Sequence, residues 1–180
     1  MRLDLYDNSA FDRGAGPVRE ALWMLCKGVF FLNAFPWPSS IRVFWLRLFG
    51  ARVGKQVVIR AGVNISFPWR LTVGDHVWIG EEVYVLSLAP VTLGSHVCVS
   101  QRAFLCTGSH DWRRENFDLQ VRPITVEDEV WIAAQAFIGP GVCVGRGSIV
   151  GAGTILLKTL PPNSMAKGNP AQFSAKPDVS

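Results

Sequence analysis

The stretch VEDEVWIAAQAFIGPGVCVGRGSIVGAGTIL, residues 126–156, carries an aliphatic residue at every sixth position. These aliphatic residues, or rungs, are Val126, Ile132, Ile138, Val144, Val150 and Leu156. No helix has that period, whereas three such hexads form one coil of about eighteen residues in a parallel β-helix, whose rungs fill a triangular prism. The residues two positions before a rung are expected to point inward as well, namely Val130, Ala136, Val142, Ser148 and Thr154. The stretch therefore predicts a mainly β solenoid.

The ladder continues towards the start of the chain. Its earlier rungs are Val53, Ile59, Ile65, Val73, Ile79, Val85, Leu93, Val99 and Leu105. Extra residues precede Val73 and Leu93, so residues roughly twenty apart should stack at the strand spacing of about 4.8 Å. About five coils then fit between residues 53 and 161. Residues 110–123 cannot keep the aliphatic period and are predicted to leave the prism as a loop, an element that often carries function on a rigid scaffold.

Two helices are predicted before the ladder. Within residues 18–33, apolar residues follow helical steps of three and four, at Leu22, Leu25, Val29 and Leu32. A second apolar run over residues 41–49 ends at Gly50, a common helix stop. This hairpin is expected to cap the first coil, because an open β-helix end exposes unpaired strand edges. The chain then divides into an arm and helical cap (1–50), a β-helix domain (51–161) and a C-terminal tail (162–180).

Contact with a membrane surface is a further role open to residues 18–49. Residues 21–37 contain Lys27 and Asn33, so this segment is too short and too polar to cross a bilayer. A position on the surface of a membrane, at its interface with water, remains compatible with the pattern.

Composition narrows the function classes. The 180 residues are 49% apolar and 18% charged, which supports one domain with a substantial core. The net charge is +4, but the basic residues are scattered, so nucleic-acid binding is not expected. Residues 1–7 carry acids and no apolar core, so we expect no secretory signal and a cytoplasmic protein. Zinc knuckles and a redox dithiol are disfavoured because no short spacing joins Cys26, Cys98, Cys106 and Cys143.

Several short motifs resemble those of one family. Their order along the chain is part of the resemblance. The motifs are LRLFGA at 46–51, LCTGSHD at 105–111, VWI at 130–132, GAG at 151–153 and GNPA at 168–171. On these motifs the chain is similar to hexapeptide-repeat acetyltransferases, above all those of the colanic acid biosynthesis type. The resemblance implies a left-handed β-helix, a homotrimer, and acetyl-CoA bound in a groove between neighbouring prisms, with no metal required.

The same resemblance implies direct acetyl transfer with His110 as general base. Histidine suits this role because it is mostly neutral yet basic near physiological pH. Cys106 is a rival, since a cysteine four residues before a histidine suggests an acetyl-cysteine intermediate. Leu105 is a rung, however, so Cys106 is expected to point away from the prism, at a corner, and direct transfer is the preferred reading.

For the cofactor, the resemblance implies that Trp131 lies beside the pantetheine arm and that backbone groups of Ala134 and Ala152 face it. Lys158 matches a lysine near the CoA phosphates, a role that a compact ammonium charge fills. Related galactoside-type enzymes carry arginines beyond the Gly-x-Pro turn, which this chain lacks. Lys167 or Lys176 is the candidate replacement.

The acceptor site departs from the galactoside-type pattern. Gly80 stands where those enzymes hold an asparagine, so Glu82, or less favourably Glu81, is the candidate ligand of acceptor hydroxyls. Trp112 and Arg122 in the loop are candidates for contacting a sugar face or a carboxylate. Each of these residues is equally compatible with a solvated or structural role.

Taken together, the sequence predicts an acetyl-CoA-dependent O-acetyltransferase that acts on a sugar hydroxyl in exopolysaccharide or surface-glycan assembly. N-acetylation of an amino sugar or small amine on the same fold is the alternative. A γ-carbonic-anhydrase-like metal enzyme is a third hypothesis. Enzymes of that type bind zinc through three histidines on this fold, and His76 and His96 should stack on one corner. The equivalent corners carry Gln56 and Glu129, which disfavours a three-histidine zinc site.

Overall fold

Two helices form a hairpin ahead of the first strand in the computed structural model, which describes residues 2–176. Helix α1 spans Pro17–Phe30 and helix α2 spans Ser39–Leu48. The predicted hairpin is therefore confirmed, although α1 ends earlier than expected. The side-chain amide of Asn33 turns back to the carbonyl of Val29, and this contact closes the last turn of the helix.

The strands, numbered in chain order, stack into three parallel faces of one prism. The first face contains β1 (Arg52–Val53), β4 (Leu71–Val73), β7 (Val91–Leu93), β12 (Ile124–Val126) and β15 (Cys143–Val144). The second contains β2 (Val58–Ile59), β5 (Trp78–Ile79), β8 (Cys98–Val99), β13 (Trp131–Ile132), β16 (Ile149–Val150), β18 (Ser164–Lys167) and the antiparallel edge strand β19 (Gln172–Ala175). The third contains β3 (Asn64–Ile65), β6 (Tyr84–Leu86), β9 (Phe104–Cys106), β14 (Phe137–Ile138) and β17 (Ile155–Leu156).

The register of these strands follows the aliphatic ladder. Ile59 pairs with Ile79, which pairs with Val99, as expected for early coils of about twenty residues. Five coils are complete, and the stack continues into a partial sixth, since Leu160 bridges to Val144 and β18 pairs with β16. The fold is thus the expected parallel β-helix, slightly longer than the ladder alone indicates.

The rungs form the core of the prism. Every rung from Ile59 to Leu156 is buried, and Val53 at the open end is half-buried. Ser148 and Thr154 point inward as expected and are fully buried. Their hydroxyls donate to the carbonyls of Pro161 and Ala166, so neither is left without a hydrogen bond. Burial of this apolar ladder contributes to the stability of the fold.

The helical hairpin covers the first coil. The indole of Trp23 is buried and donates from Nε1 to the carbonyl of Ile65 at 2.9 Å. The backbone N–H of Gly62 donates to the carbonyl of Phe31, and the guanidinium of buried Arg42 donates to the carbonyl of Ile59. These bonds satisfy backbone groups that an open coil would leave unpaired. The capping role is therefore visible in the contacts.

None of the helices within residues 2–176 combines the length and the apolar character needed to cross a membrane.

Candidate active site

The predicted loop forms a hairpin that projects from the third face. It consists of β10 (Gly108–His110) and β11 (Leu119–Val121), which pair antiparallel directly after β9. The backbone N–H of Arg122 donates to the carbonyl of Thr107 at 2.9 Å, which closes the base of the hairpin. His110 is thus held at the end of a strand and not on a free loop.

The imidazole of His110 has one defined hydrogen bond. Its Nδ1 lies 2.9 Å from the carbonyl oxygen of Phe117. Because a carbonyl oxygen only accepts, Nδ1 must carry the proton, and Nε2 is then left with a free lone pair. This is the tautomer that a general base needs, and the loop itself selects it.

Two aromatic rings pack against this imidazole. The Phe117 ring stacks on it with centroids 4.2 Å apart and planes at 1°, and the Tyr6 ring meets it at 5.5 Å and 64°. Phe117 also has a φ of +52°, which is uncommon for a bulky residue. The Phe117 ring and the Tyr6 ring therefore both contribute to the position of the imidazole.

Neither Phe117 nor Tyr6 was expected from the sequence. Phe117 belongs to a segment without periodicity, and Tyr6 lies far from His110 in the chain. The one available signal was the failure of the hexad pattern over residues 110–123, which located the loop but said nothing about the residues that orient the histidine.

The rival nucleophile Cys106 lies in an unfavourable environment. Its side chain is buried, and the thiol Sγ donates to the carbonyl of Gly108 at 3.1 Å. Burial raises the pKa of the Cys106 thiol, which lowers the population of the nucleophilic thiolate at neutral pH. The packed thiol is therefore a weaker candidate than the imidazole of His110.

Four of the five cofactor candidates lie on the second face or its adjoining corner. Trp131 is 47% exposed, and its Nε1 donates to Ser100 Oγ at 2.9 Å. Ala134 and Ala152 are neighbours at the corner between the second and third faces, where the N–H of Gly153 donates to the carbonyl of Ala134. The exposed Lys167 side chain lies beside Gly151 on the same side of the prism.

The fifth cofactor candidate, Lys158, lies elsewhere. It is exposed after the third-face strand β17, where it lines a cavity with Asn169, Pro170 and Ala171. A cation beside a cavity fits a phosphate contact, but one chain alone does not bring Lys158 and Trp131 onto the same face.

The acceptor candidates are divided between two corners. Glu82 lies at the corner between the second and third faces and forms an ion pair with Arg102 at 2.8 Å. Trp112 is 75% exposed in the projecting hairpin, and the side chain of Arg122 lies along Gly141 at its base. Within one chain, Glu82 is therefore on a different edge of the prism from His110.

The glycine at position 80 has a steric explanation. A Cβ added to Gly80 would lie 2.9 Å from the backbone nitrogen of Gln101. That distance is shorter than ordinary contact, so an asparagine there would require the next coil to shift. An acceptor ligand in this chain must come from another position.

His76 and His96 stack as the coil register implies, with centroids 4.8 Å apart and planes at 5°. Across residues 2–176, the structure contains no group of three or more His, Cys, Asp or Glu side chains that could hold a metal ion.

Known proteins share both the repeat and the whole fold. A family model described as the hexapeptide repeat of succinyl-transferase matches residues 123–158. A protein of Escherichia coli strain K12 named as a colanic acid biosynthesis acetyltransferase, WcaF, is 40% identical over 163 residues, which cover 88% of this chain and 87% of that protein. The galactoside O-acetyltransferase of the same organism is 30% identical over 125 residues, or 68% of this chain and 62% of that enzyme.

Among solved structures, a hexapeptide-repeat acetyltransferase from Vibrio cholerae O1 biovar eltor in complex with acetyl-CoA superimposes with a TM-score of 0.81. It is 26% identical, and the match covers 92% of each chain. The three-faced prism and its hairpin thus define a left-handed β-helix acyltransferase. The chain belongs to the hexapeptide-repeat acetyltransferase family.

Proposed function

We propose that this protein transfers the acetyl group of acetyl-CoA to a hydroxyl of a sugar or glycan during surface-polysaccharide assembly. The observation that carries the proposal is the Nδ1 hydrogen bond of His110 to the carbonyl of Phe117, because it leaves Nε2 free to accept a proton. The named activities of the relatives, colanic acid biosynthesis acetyltransferase and galactoside O-acetyltransferase, support a sugar acceptor.

In the proposed reaction, Nε2 of His110 removes the proton from the acceptor hydroxyl while that oxygen attacks the thioester carbonyl carbon. The tetrahedral oxyanion is stabilised by a backbone N–H. The carbon–sulfur bond then breaks, the imidazolium returns its proton to the leaving thiolate, and the products are the acetyl ester and CoA. Nδ1 of His110 is hydrogen-bonded to the Phe117 carbonyl, so a carbonyl dipole stabilises the imidazolium at that nitrogen.

The cofactor groove is proposed to form between neighbouring subunits of a homotrimer. Trp131, Ala134, Ala152 and Lys167 lie along the second face and its corner, whereas His110 projects beyond the third face. A neighbouring prism packed alongside can bring the two sets together, as cyclic symmetry allows. In this arrangement Lys158 provides a cation for a CoA phosphate, and Glu82, Trp112 and Arg122 remain candidates for acceptor contacts.

The proposed function is tested by measuring CoA release with a panel of acceptors. The panel contains free sugars, nucleotide sugars, lipid-linked oligosaccharides, amino sugars and small amines, with mass spectrometry to locate the acetyl group. We expect acceptor-dependent CoA release with an ester on a sugar oxygen. Acetylation restricted to amines would replace the proposal with N-acetyl transfer, and no acceptor-dependent release across the panel would reject it.

We further propose that the enzyme is cytoplasmic and that it docks on the inner face of an anionic membrane through its helical hairpin. The exposed side of α1 carries an apolar stripe at Val18, Leu22, Leu25 and Val29. These residues follow steps of four, three and four, so they share one face of the helix. Phe44 and Leu48 are exposed on α2.

The charged residues of the hairpin favour a lipid surface as the partner of this apolar face. The hairpin contains a single acid, Glu20, and that carboxylate is paired with Arg13. Arg19 and Arg47 are exposed on α1 and α2, and their guanidinium groups also donate to the carbonyls of Phe49 and of Val53 and Gly54. A helical hairpin that combines an exposed apolar face with cations and almost no acids is typical of segments that lie in the interface of anionic bilayers.

We expect the protein to float with vesicles that contain phosphatidylglycerol, and less with vesicles of phosphatidylcholine alone. Leu25→Glu should reduce the bound fraction about tenfold or more, because it removes an exposed apolar side chain that would enter the bilayer and adds an acid. Leu3→Glu, at an exposed apolar residue outside the hairpin, is the matched control and should float normally. Protein that stays at the bottom with both vesicle types, or a larger assembly that Leu25→Glu dissociates, would contradict membrane docking.

A further inference from the structure

The segment before α1 is anchored to the β-helix. The indole Nε1 of Trp69 donates to the carbonyl of Arg13 at 2.8 Å. The guanidinium of Arg70 contacts the carbonyl of Asp12 and lies 5.3 Å from the centroid of the Phe11 ring. These contacts hold residues 11–13 against the corner that precedes β4, so the segment 2–16, here called the arm, follows a defined path.

The other end of the arm reaches the candidate active site. The backbone N–H of Arg2 donates to the carbonyl of Glu115, in the projecting hairpin, at 2.7 Å. Four residues later, the Tyr6 ring packs edge-on against the imidazole of His110, with the ring centroids 5.5 Å apart and the ring planes at 64°. The arm therefore connects the helical cap to the hairpin that carries His110.

The imidazole of His110 is restrained from two sides. Phe117 stacks parallel on one face of the ring, so Tyr6 must contact it from a different side. The hydrogen bond at Nδ1 and the parallel stack both come from Phe117, within the hairpin itself. The Tyr6 ring adds a restraint from outside the hairpin, and such aromatic pairs are favourable at the centroid distance seen here.

We propose that Tyr6 is a positioning residue, which holds the His110 ring so that Nε2 faces the acceptor hydroxyl. The inference rests on the proposed function, in which His110 is the base. It adds that the arm, a segment outside the β-helix, completes the catalytic geometry. Displacing a general base slows the chemical step without weakening substrate binding. Loss of the Tyr6 ring should therefore lower kcat and leave KM unchanged.

The proposal predicts different outcomes for two substitutions of Tyr6. Tyr6→Ala removes the ring and should lower kcat roughly three- to tenfold, the factor expected from losing one aromatic pair, with KM for acetyl-CoA unchanged. Tyr6→Phe keeps the ring and should retain kcat within about twofold. Leu3→Ala is the matched control on the same arm, because Leu3 is 64% exposed. Steady-state kinetics and thermal unfolding of each variant provide the measurements.

A double mutant separates positioning from a general structural effect. If Tyr6 acts through the imidazole, Tyr6→Ala should cause no further loss of kcat in a His110→Ala background. A second readout is the rate at which diethyl pyrocarbonate modifies His110, followed by mass spectrometry with the exposed His76 and His96 as internal references. Tyr6→Ala should accelerate modification of His110 alone.

Equal kcat in Tyr6→Ala and wild type would overturn the proposal, as would an effect confined to KM for the acceptor, which would make Tyr6 a binding residue. A multiplicative loss in the double mutant would also contradict it. If instead His110→Ala keeps full activity, the proposed role of His110 as general base fails, and the modification rate of His110 in the wild-type and Tyr6→Ala proteins still reports whether Tyr6 restrains the ring.

Discussion

Replacing His110 by alanine is expected to lower kcat by about 10²- to 10⁴-fold, the usual contribution of a positioned general base. The affinity for acetyl-CoA should remain nearly intact, because the cofactor candidates Trp131, Ala134 and Ala152 lie on another part of the prism. The side chain is half-buried in a hairpin outside the core, so the fold should tolerate the change. Single-turnover rates and calorimetric titration with acetyl-CoA measure the two quantities separately.

Cys106→Ser is the control for the route of transfer. The thiol is packed, and its pKa is raised by burial, so the serine variant should remain active. An inactive Cys106→Ser together with an active His110→Ala would contradict direct transfer. So would an acetyl group trapped on Cys106 and detected by mass spectrometry, since it would indicate a covalent route.

Trp131→Ala and Lys158→Ala are expected to weaken acetyl-CoA binding without unfolding the protein. Both side chains are exposed outside the prism, in contrast to Ile132, the fully buried neighbour of Trp131. Loss of the indole should raise Kd about ten- to a hundredfold, the range for truncating an aromatic anchor. Loss of the Lys158 ammonium should raise Kd by about two- to tenfold, and less at high salt, because the charge is exposed to solvent. Unchanged affinity in both variants would remove these assignments.

Mixing two impaired variants tests whether the site is shared between subunits. His110→Ala and Trp131→Ala carry their defects on different edges of the prism. If a trimer interface joins the histidine of one subunit to the groove of the next, random mixed trimers should recover about a quarter of wild-type activity at limiting acetyl-CoA. Light scattering should show a trimer throughout. A stable monomer, or no recovery after subunit exchange, would contradict the shared site.

The repeat and its consequences could be read from the sequence, because the signal is periodic and local. A rung at every sixth position permits one regular structure, so the prism, the extruded loop and the stacking of His76 on His96 all followed from spacing. The helical hairpin could be predicted because apolar residues before the ladder are spaced by three and four positions, whereas those in the ladder are spaced by six. The resemblance to a known family then identified His110 as the residue to consider.

Only the tertiary structure decided how that histidine is held. The carbonyl of Phe117 selects the tautomer of His110, and the ring of Tyr6 restrains it, but neither residue belongs to any repeat. Tyr6 and His110 are far apart in the sequence and meet only when the arm packs against the folded β-helix. No local sequence pattern therefore predicts their contact. Similarly, the steric block at Gly80 depends on the backbone of the next coil. Periodic burial determines the scaffold from the sequence, whereas the orientation of a single side chain depends on aperiodic contacts that form when distant segments meet.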